Sequence, residues 1–222
     1  MIRFEDVKII RGDRELLSDV NFEVKDSEKV AISGASGAGK TSLLMALVGA
    51  YPVAGGTIRF RGQTVSPATV LAVRQSVAFI GQEPALGAET VREALLLPFS
   101  FRANRGALPS ADAVSDVLSQ VQLPEGILGK RCGVVSGGEK QRIAVARALL
   151  LGKRVFLADE VTSALDGVSK RAVMDVLSQP HFTVLTVTHD PEWFSRCSRR
   201  LVIDGGTLSS GSRVAPGGSS NA

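Results

Sequence analysis

The sequence predicts an α/β protein with a mostly parallel, doubly wound sheet, and three observations lead to this class. Short apolar, strand-like stretches alternate with helix-like stretches along most of the 222 residues. A glycine-rich stretch, GASGAGKTS at 34–42, follows an apolar strand and precedes a helix, the setting of a phosphate-binding loop. A second apolar stretch, VFLADE at 155–160, brings carboxylates to a strand end, where open α/β sheets bind ligands.

Composition sets the class of molecule. With 44% hydrophobic and 22% charged residues, the chain is long enough to bury a globular core. The net charge of +4 and an aromatic content of 5% do not indicate a nucleic-acid partner. The two cysteines, Cys132 and Cys197, lack metal-ligand spacing and fit a reducing compartment. No export signal or membrane-spanning segment is expected.

The elements before the middle of the chain follow from local patterns. MIRFEDVKII and LLSDVNFEV read as strands joined by a turn at Gly12 and Asp13, and KVAIS is a strand entering the glycine loop. KTSLLMALVGA reads as a helix, GGTIRFRGQTV as a strand and turn, and SVAFIG as a strand that ends at Gln82.

A helical insert is expected at about 84–135. In TVREALLLP, Thr90 and Glu93 have the spacing of a capping box and Pro98 marks the end of the helix. SADAVSDVLSQVQL places apolar residues on one helical face, namely Val114, Val117, Leu118 and Val121.

The remainder returns to alternating strands and helices: EKQRIAVARALL (helix), RVFLADE (strand), KRAVMDVLS (helix), HFTVLTVTHD (strand) and RLVID (strand). We expect one domain over 1–208, followed by a flexible Gly/Ser-rich tail at 209–222.

The glycine loop has the residues that phosphate binding requires. Glycines let the backbone wrap phosphates with N–H groups, Lys40 reaches the terminal phosphates, and the Thr41 hydroxyl ligates Mg²⁺. The residues of this loop that are expected to bind phosphates are Gly34, Ala35, Ser36, Gly37, Ala38, Gly39, Lys40, Thr41 and Ser42.

Polar residues follow three further apolar strands, where they would meet at one sheet edge. Asp159 is expected to hold Mg²⁺ through water, and Glu160 to polarise an attacking water. Gln82 is expected to sense Mg²⁺ or water, and His189 to hydrogen-bond a γ-phosphate.

A second anion-binding feature lies at VVSGGEKQR, 134–142. Ser136, Gly137 and Gly138 are expected to form a loop with exposed N–H groups at a helix N-terminus, where the helix dipole favours phosphate.

Together these motifs resemble the nucleotide-binding subunit of an ABC transporter, over residues 1 to about 208. In order they are Walker A at 34–42, the Q-loop at Gln82, the signature VSGGE at 135–139, Walker B at 155–159, Glu160, the D-loop SALD at 163–166, and the switch His189.

The resemblance implies the rest of the prediction. It implies a P-loop, RecA-like core with an N-terminal antiparallel β subdomain and an inserted helical subdomain. It also implies a head-to-tail homodimer that sandwiches ATP and Mg²⁺. The ATP-binding residues are then those of the glycine loop at 34–42 together with Arg11, Gln82, Ser136, Gly137, Gly138, Glu139 and Asp166. Such a subunit hydrolyses ATP, with Glu160, His189 and Lys40 catalytic and with Thr41, Gln82 and Asp159 as metal residues. It drives a separate permease from the cytoplasmic face of the membrane.

Three segments depart from the family pattern, at four positions. Arg11 stands where an aromatic residue usually stacks on adenine, and a guanidinium can also stack on a purine. Val135 and Glu139 replace Leu and Gln of the signature, and Val161 replaces the usual Pro of DEPTSALD.

Val161, LPEGIL and LLLPFSFRAN resemble a narrower group, the Fet-type ATPases, which are linked to iron export and metal homeostasis. A permease helix would then dock beside the Q-loop, on a groove expected to be lined by Pro84, Leu86, Phe99 and Phe101. The alternative for these four residues is buried core.

Two other functions are considered. A non-transport ABC ATPase, of the DNA-repair or translation type, would carry a long coiled-coil insertion or two cassettes, and this chain has neither. A small P-loop kinase would have no use for the SGGE motif.

Overall fold

The computed structural model describes residues 1–210, which group into two compact units. The first unit comprises Met1–Val77 together with the described residues from Pro180 onward, and the second comprises Ala78–Gln179.

One antiparallel sheet of the first unit has the strand order β2-β1-β4-β5. Its strands are β1 (Ile2–Arg11), β2 (Arg14–Val24), β4 (Gly55–Phe60) and β5 (Gln63–Thr64). The buried residues of β1 are Ile2, Phe4, Val7 and Ile9. They alternate along the strand, as expected for one face on the core, except between Phe4 and Val7, where the pairing with β2 is irregular. This sheet agrees with the antiparallel N-terminal subdomain implied by the resemblance.

The second sheet of this unit carries the parallel strands. It contains β3 (Lys29–Gly34), β8 (Thr183–Val187), β9 (Arg199–Asp204) and β10 (Thr207–Ser210), in the order β10-β9-β3-β8. β3 pairs in parallel with both β8 and β9, whereas β10 is antiparallel to β9. Three helices complete the unit, namely α1 (Lys40–Leu47), α2 (Val70–Ser76) and α7 (Pro191–Arg196).

The second unit has two neighbouring strands and four helices. The strands are β6 (Val77–Ile80) and β7 (Val155–Asp159), and every residue of β7 is buried. The helices are α3 (Val91–Ser100), α4 (Ala111–Gln120), α5 (Gly137–Leu150) and α6 (Gly167–Leu177). α5 packs against α3, α4 and α6, so the helix that begins at the signature motif is the centre of this unit.

The predicted α3 has the expected beginning but a later end. The Thr90 hydroxyl accepts from the Glu93 N–H at 3.3 Å and the Glu93 carboxylate accepts from the Thr90 N–H at 3.1 Å, which confirms the capping box. The expectation that Pro98 ends the helix is wrong, since α3 continues to Ser100. A proline in the last turn removes one i→i−4 hydrogen bond, and the Asn104 side chain donates to the Pro98 carbonyl at 2.9 Å.

Short elements were not predicted. α2 and α7 have seven and six residues, too few to display a 3.6-residue period. β10 runs to Ser210, past the expected start of the tail, and the remainder of that tail, 211–222, lies outside the described residues. In the described part of the chain, no helix is both long and apolar enough to cross a bilayer.

Candidate functional site

The phosphate loop joins β3 to α1 in the first unit, as predicted. Three of its glycines have positive φ, with values of 150° at Gly34, 73° at Gly37 and 93° at Gly39. A Cβ on Gly34 would lie 2.4 Å from the carbonyl oxygen of Ile203, so only glycine fits there. The loop geometry is therefore set by contact with β9 as well as by its own backbone.

Lys40 is held against this loop. Its side chain is 7% exposed, and Nζ donates to the carbonyl oxygens of Gly34 at 2.7 Å and Ala35 at 2.8 Å. Thr41 is exposed on the first turn of α1. Ala35, Ser36 and Gly37 are also exposed, and a phosphate could therefore approach the loop from solvent.

His189 lies at the same sheet edge as the phosphate loop. It follows β8, which pairs in parallel with β3, and the Thr188 N–H donates to the Ile32 carbonyl at 3.0 Å. The Asp190 N–H donates to the Thr188 hydroxyl at 3.0 Å, and the Asp190 carboxylate caps α7. These bonds fix the backbone on both sides of an exposed His189. Arg11 is exposed at the end of β1, opposite Arg14.

The second unit holds the carboxylates at the ends of its two strands. Asp159 is the last residue of β7 and is 5% exposed. The next residue, Glu160, has a left-handed backbone with φ of 49°. The Gln82 side chain, beyond β6, donates from Nε2 to Glu160 Oε2 at 3.4 Å. The structure therefore brings Gln82 and Glu160 together, as the sequence predicted.

Gln141, which the sequence patterns do not single out, contacts both of these residues. Its side chain is wholly buried, and Nε2 donates to the carbonyl oxygens of Gln82 at 3.0 Å and Glu160 at 3.3 Å. An available signal was that Gln141 shares a helix face with the apolar Ala144, Val145 and Ala148.

The signature segment differs from the predicted loop. Ser136 is the N-cap of α5, and Gly137 and Gly138 are already helical. The Ser136 N–H, predicted to bind an anion, instead donates to the Glu139 carboxylate at 2.7 Å, because the two residues form a capping box. The N–H groups of Gly137 and Gly138 lie in the first turn, where a helix supplies no partner for them. These two groups and the Ser136 hydroxyl are the donors that suit a phosphate.

Glu139 is ionised and paired at this position. The Ser136 backbone N–H and then the Lys130 ammonium, 2.9 Å from Glu139 Oε1, lower the pKa of the Glu139 carboxyl. The negative charge that Glu139 introduces into the signature is therefore partly offset by Lys130.

Asp166 caps helix α6. Its Oδ1 accepts from the N–H groups of Val168 at 2.9 Å and Ser169 at 3.0 Å, and Oδ2 accepts from the Ser169 hydroxyl at 2.8 Å. These bonds, led by the Ser169 backbone N–H, lower the pKa of the Asp166 carboxyl.

The residues expected to line a docking groove divide into two kinds. Leu86 and Phe99 are buried, at 4% and 7% exposed, whereas Phe101 is 57% exposed and Pro84 is half-buried. The expectation of groove lining is therefore wrong for Leu86 and Phe99, because both belong to the core of the second unit.

The described residues hold no cluster of three or more His, Cys, Asp or Glu side chains that could bind a metal by itself. The Thr41 hydroxyl in the first unit, and the Asp159 carboxylate and the Gln82 amide in the second, each offer an oxygen of the kind that Mg²⁺ prefers.

Comparison with known proteins defines the class to which these features belong. The family model described as ABC transporter matches residues 17–163, and the chain belongs to this family. Its structure is that of an ABC ATPase cassette, with a P-loop fold, and the protein is an ABC transporter ATPase.

Individual relatives agree with this family. The probable iron export ATP-binding protein FetA of Escherichia coli K12 is 33% identical over 207 residues, which cover 91% of each chain. Multidrug resistance protein 1 of Entamoeba histolytica is 35% identical, over 80% of this chain but 14% of its own length.

Solved structures resemble the chain across almost its whole length. The ATP-binding cassette MJ0796, in a dimeric post-hydrolysis state bound to ADP and Pi, aligns with a TM-score of 0.85 at 25% identity, covering 97% of this chain and 99% of its own. A bacterial Atm1-family ABC exporter with ATP bound aligns with a TM-score of 0.82 at 29% identity, covering 94% of this chain and 38% of its own.

Proposed function

We propose that the chain is the ATP-hydrolysing subunit of an export-type ABC transporter that drives a separate permease from the cytoplasmic face of the membrane. The observation that carries the catalytic part is the contact between Gln82 and Glu160 at the ends of β6 and β7. The transport part is supported by FetA, which is named as an iron export ATP-binding protein, and metal ions are therefore the substrate class to test first.

The assigned chemistry is water attack on the γ-phosphate without a covalent intermediate. The phosphate loop wraps the phosphates with N–H groups, and Lys40 exchanges its bonds to Gly34 and Ala35 for bonds to phosphate oxygens. Glu160 orients the attacking water, with Gln82 beside it, and His189 donates to the γ-phosphate as charge develops.

We assign the metal residues from the chemistry of their donors. Thr41, Asp159 and Gln82 would hold Mg²⁺ at the phosphates, Asp159 through water. When bound, the ion would offset the negative charge of the phosphate oxygens.

The catalytic assignment is tested by Glu160→Gln. The amide keeps the shape of the side chain but orients and polarises water poorly, so ATP should still bind while turnover falls by about a hundredfold or more. ATP affinity, measured with a fluorescent analogue, and phosphate release by the same preparation separate binding from chemistry. Turnover at the wild-type rate would remove Glu160 from this role.

We further propose a head-to-tail homodimer in which the signature of one protomer contacts the nucleotide on the phosphate loop of its partner, with Asp166 near the same nucleotide. The first-turn N–H groups of Gly137 and Gly138 and the Ser136 hydroxyl are the donors for that contact. Glu139 and Lys130 set the local charge there, and the dimeric state of MJ0796 supports the arrangement.

This dimer is tested by mixing two defective variants. Lys40→Ala loses its phosphate loop and keeps its signature, and Ser136→Arg does the reverse. Only a mixed dimer can place both defects at one site and leave the other site intact. Sedimentation with ATP and Mg²⁺, with Glu160→Gln added to both chains, should show more dimer for the mixture than for either variant alone. Full pairing by each variant alone would contradict the shared site.

A co-purifying membrane protein would separate a transporter subunit from a non-transport ABC ATPase. Affinity capture of the tagged chain from detergent-solubilised membranes, followed by identification of the partner, makes this distinction. Recovery of a ribosomal or DNA-repair partner instead would overturn the transport proposal.

A further inference from the structure

Gln141 is a buried amide that joins the signature helix to two functional residues. It lies in α5, five positions after the N-cap Ser136, and its side chain is 0% exposed. A single nitrogen, Nε2, donates to the main-chain carbonyls that follow β6 and β7, at Gln82 and at Glu160. One side chain thus ties together the backbones that carry the paired Gln82 and Glu160 side chains.

The backbone that Gln141 holds is strained. Glu160 has φ of 49°, a left-handed conformation that costs energy for any residue with a Cβ. Its carbonyl oxygen accepts from three donors: Gln141 Nε2, the Ser163 N–H at 3.0 Å and the Ser163 hydroxyl at 2.9 Å. The Ser163 bonds close the local turn, whereas the Gln141 bond comes from another element. Gln141 is therefore a long-range support for the backbone from which the Glu160 side chain projects.

The amide oxygen of Gln141 makes this side chain less stabilising in the core than an apolar one. Its Oε1 is buried and has no hydrogen-bond donor among the described residues. A buried acceptor without a partner is destabilising, and an apolar residue of the same size would avoid this cost. The reversed amide would place Oε1 against two carbonyl oxygens, so the two Nε2 bonds fix its orientation.

We propose that Gln141 is a positioning residue for ATP hydrolysis. It sets the backbones of Gln82 and Glu160 so that their side chains meet at 3.4 Å, and it passes any displacement of α5 to both. The inference rests on the proposed role of Glu160 in orienting water. It assigns to the signature helix a direct mechanical connection to the hydrolytic carboxylate of its own protomer.

The test uses the full-length chain and Gln141→Met, which keeps an unbranched side chain of similar length but removes both hydrogen bonds. A displacement of a catalytic group by up to about 1 Å can slow a reaction by about 100-fold. Turnover at saturating ATP should therefore fall about 10- to 100-fold. The dissociation constant for ATP should change less than about twofold, because the phosphate loop belongs to the other unit. Gln120→Met, the same change at the exposed end of α4, is the matched control and should leave both values unchanged.

A double-mutant cycle with Glu160→Gln distinguishes positioning from a general structural effect. If Gln141 acts through Glu160, Gln141→Met should reduce wild-type turnover but leave the residual turnover of Glu160→Gln within about twofold. If Gln141→Met reduced turnover by the same factor in the wild-type protein and in Glu160→Gln, the inference would be overturned. It would also be overturned if Gln141→Met turned over ATP at the wild-type rate while Glu160→Gln was inactive. Wild-type turnover by Glu160→Gln would instead remove the proposed function of Glu160 and this inference with it. If Gln141→Met does not fold, Gln141→Asn, which shortens the amide by one carbon, takes its place with the same expected outcomes.

Discussion

Gly138→Ala should destabilise the protein although it places a better helix former in a helix. A Cβ on Gly138 would lie 2.8 Å from the carbonyl oxygen of Ala164 and 3.2 Å from Cδ2 of Leu165. Carbon and carbonyl oxygen tolerate a separation of roughly 3.3 Å, so the 164–165 backbone or the start of α5 must move by about 0.5 Å. A methyl group forced into a packed contact costs about 1–3 kcal/mol. At about 2–4 °C per kcal/mol for a chain of this size, the melting temperature should fall by about 2–12 °C.

Gly137→Ala is the matched control. The same methyl group on Gly137 would lie 3.8 Å from the Ala164 Cβ, an ordinary contact, and neither glycine has a positive φ. Both substitutions make nearly the same change in helix propensity and in unfolded-chain entropy, so the difference between them isolates the contact with the Ala164 carbonyl. Scanning calorimetry of both variants gives this difference. A Gly138→Ala protein as stable as Gly137→Ala would refute the reasoning.

Three further predictions concern the first unit. Burial raises the pKa of the Cys197 thiol to about 12. The stability that the neutral thiol contributes is therefore complete below the unfolded pKa, near 9, and is lost as pH rises toward 12. Cys197→Ala should flatten the fall in the free energy of unfolding between these pH values, and parallel curves of unfolding free energy against pH for the two proteins would contradict this prediction. Burial alone would raise the pKa of Glu28, but hydrogen bonds from Arg199 and the Lys25 N–H lower it overall. The resulting stability is present above the unfolded pKa and lost as pH falls through the folded one. Glu28→Gln should therefore cost about 1 kcal/mol at pH 7, and this cost should shrink as urea titrations are repeated at progressively lower pH. Arg11→Ala should raise the ATP dissociation constant about 2- to 30-fold by loss of base stacking, with turnover at saturation unchanged; an unaltered constant would mean that Arg11 does not contact the base.

The sequence predicts those parts of the fold and site that depend on local chemistry. The phosphate loop is recognisable because its glycines must adopt positive φ before a helix, and Gln82 and Glu160 because each follows an apolar strand. The capping box at Thr90 is also local, since its two hydrogen bonds join residues three apart.

Other features depend on contacts between distant residues. Two such contacts join segments that a sequence pattern treats separately. One is the close approach of Gly138 to Ala164. The other is the pair of hydrogen bonds from Gln141 to Gln82 and Glu160. The error at Pro98 has a different origin, because a proline in the last turn removes only one i→i−4 hydrogen bond and the helix can continue to Ser100.

The hydrogen bonds of Lys40 to its own loop have a calorimetric consequence. Because the ammonium already bonds to the carbonyls of Gly34 and Ala35, the nucleotide binding proposed above would exchange one set of partners for another. The net enthalpy of nucleotide binding should therefore be smaller than for an ammonium whose only previous partners are water molecules. The conformational entropy of the loop is already lost when the protein folds, so binding loses little more. Substituting Lys40 removes the charge that we propose contacts phosphate, and it also removes the two bonds to the loop carbonyls. The loss of nucleotide affinity in a Lys40 variant therefore has two contributions, the lost charge and the lost ordering of the loop before binding. Titration calorimetry can compare them through the change in the enthalpy of binding.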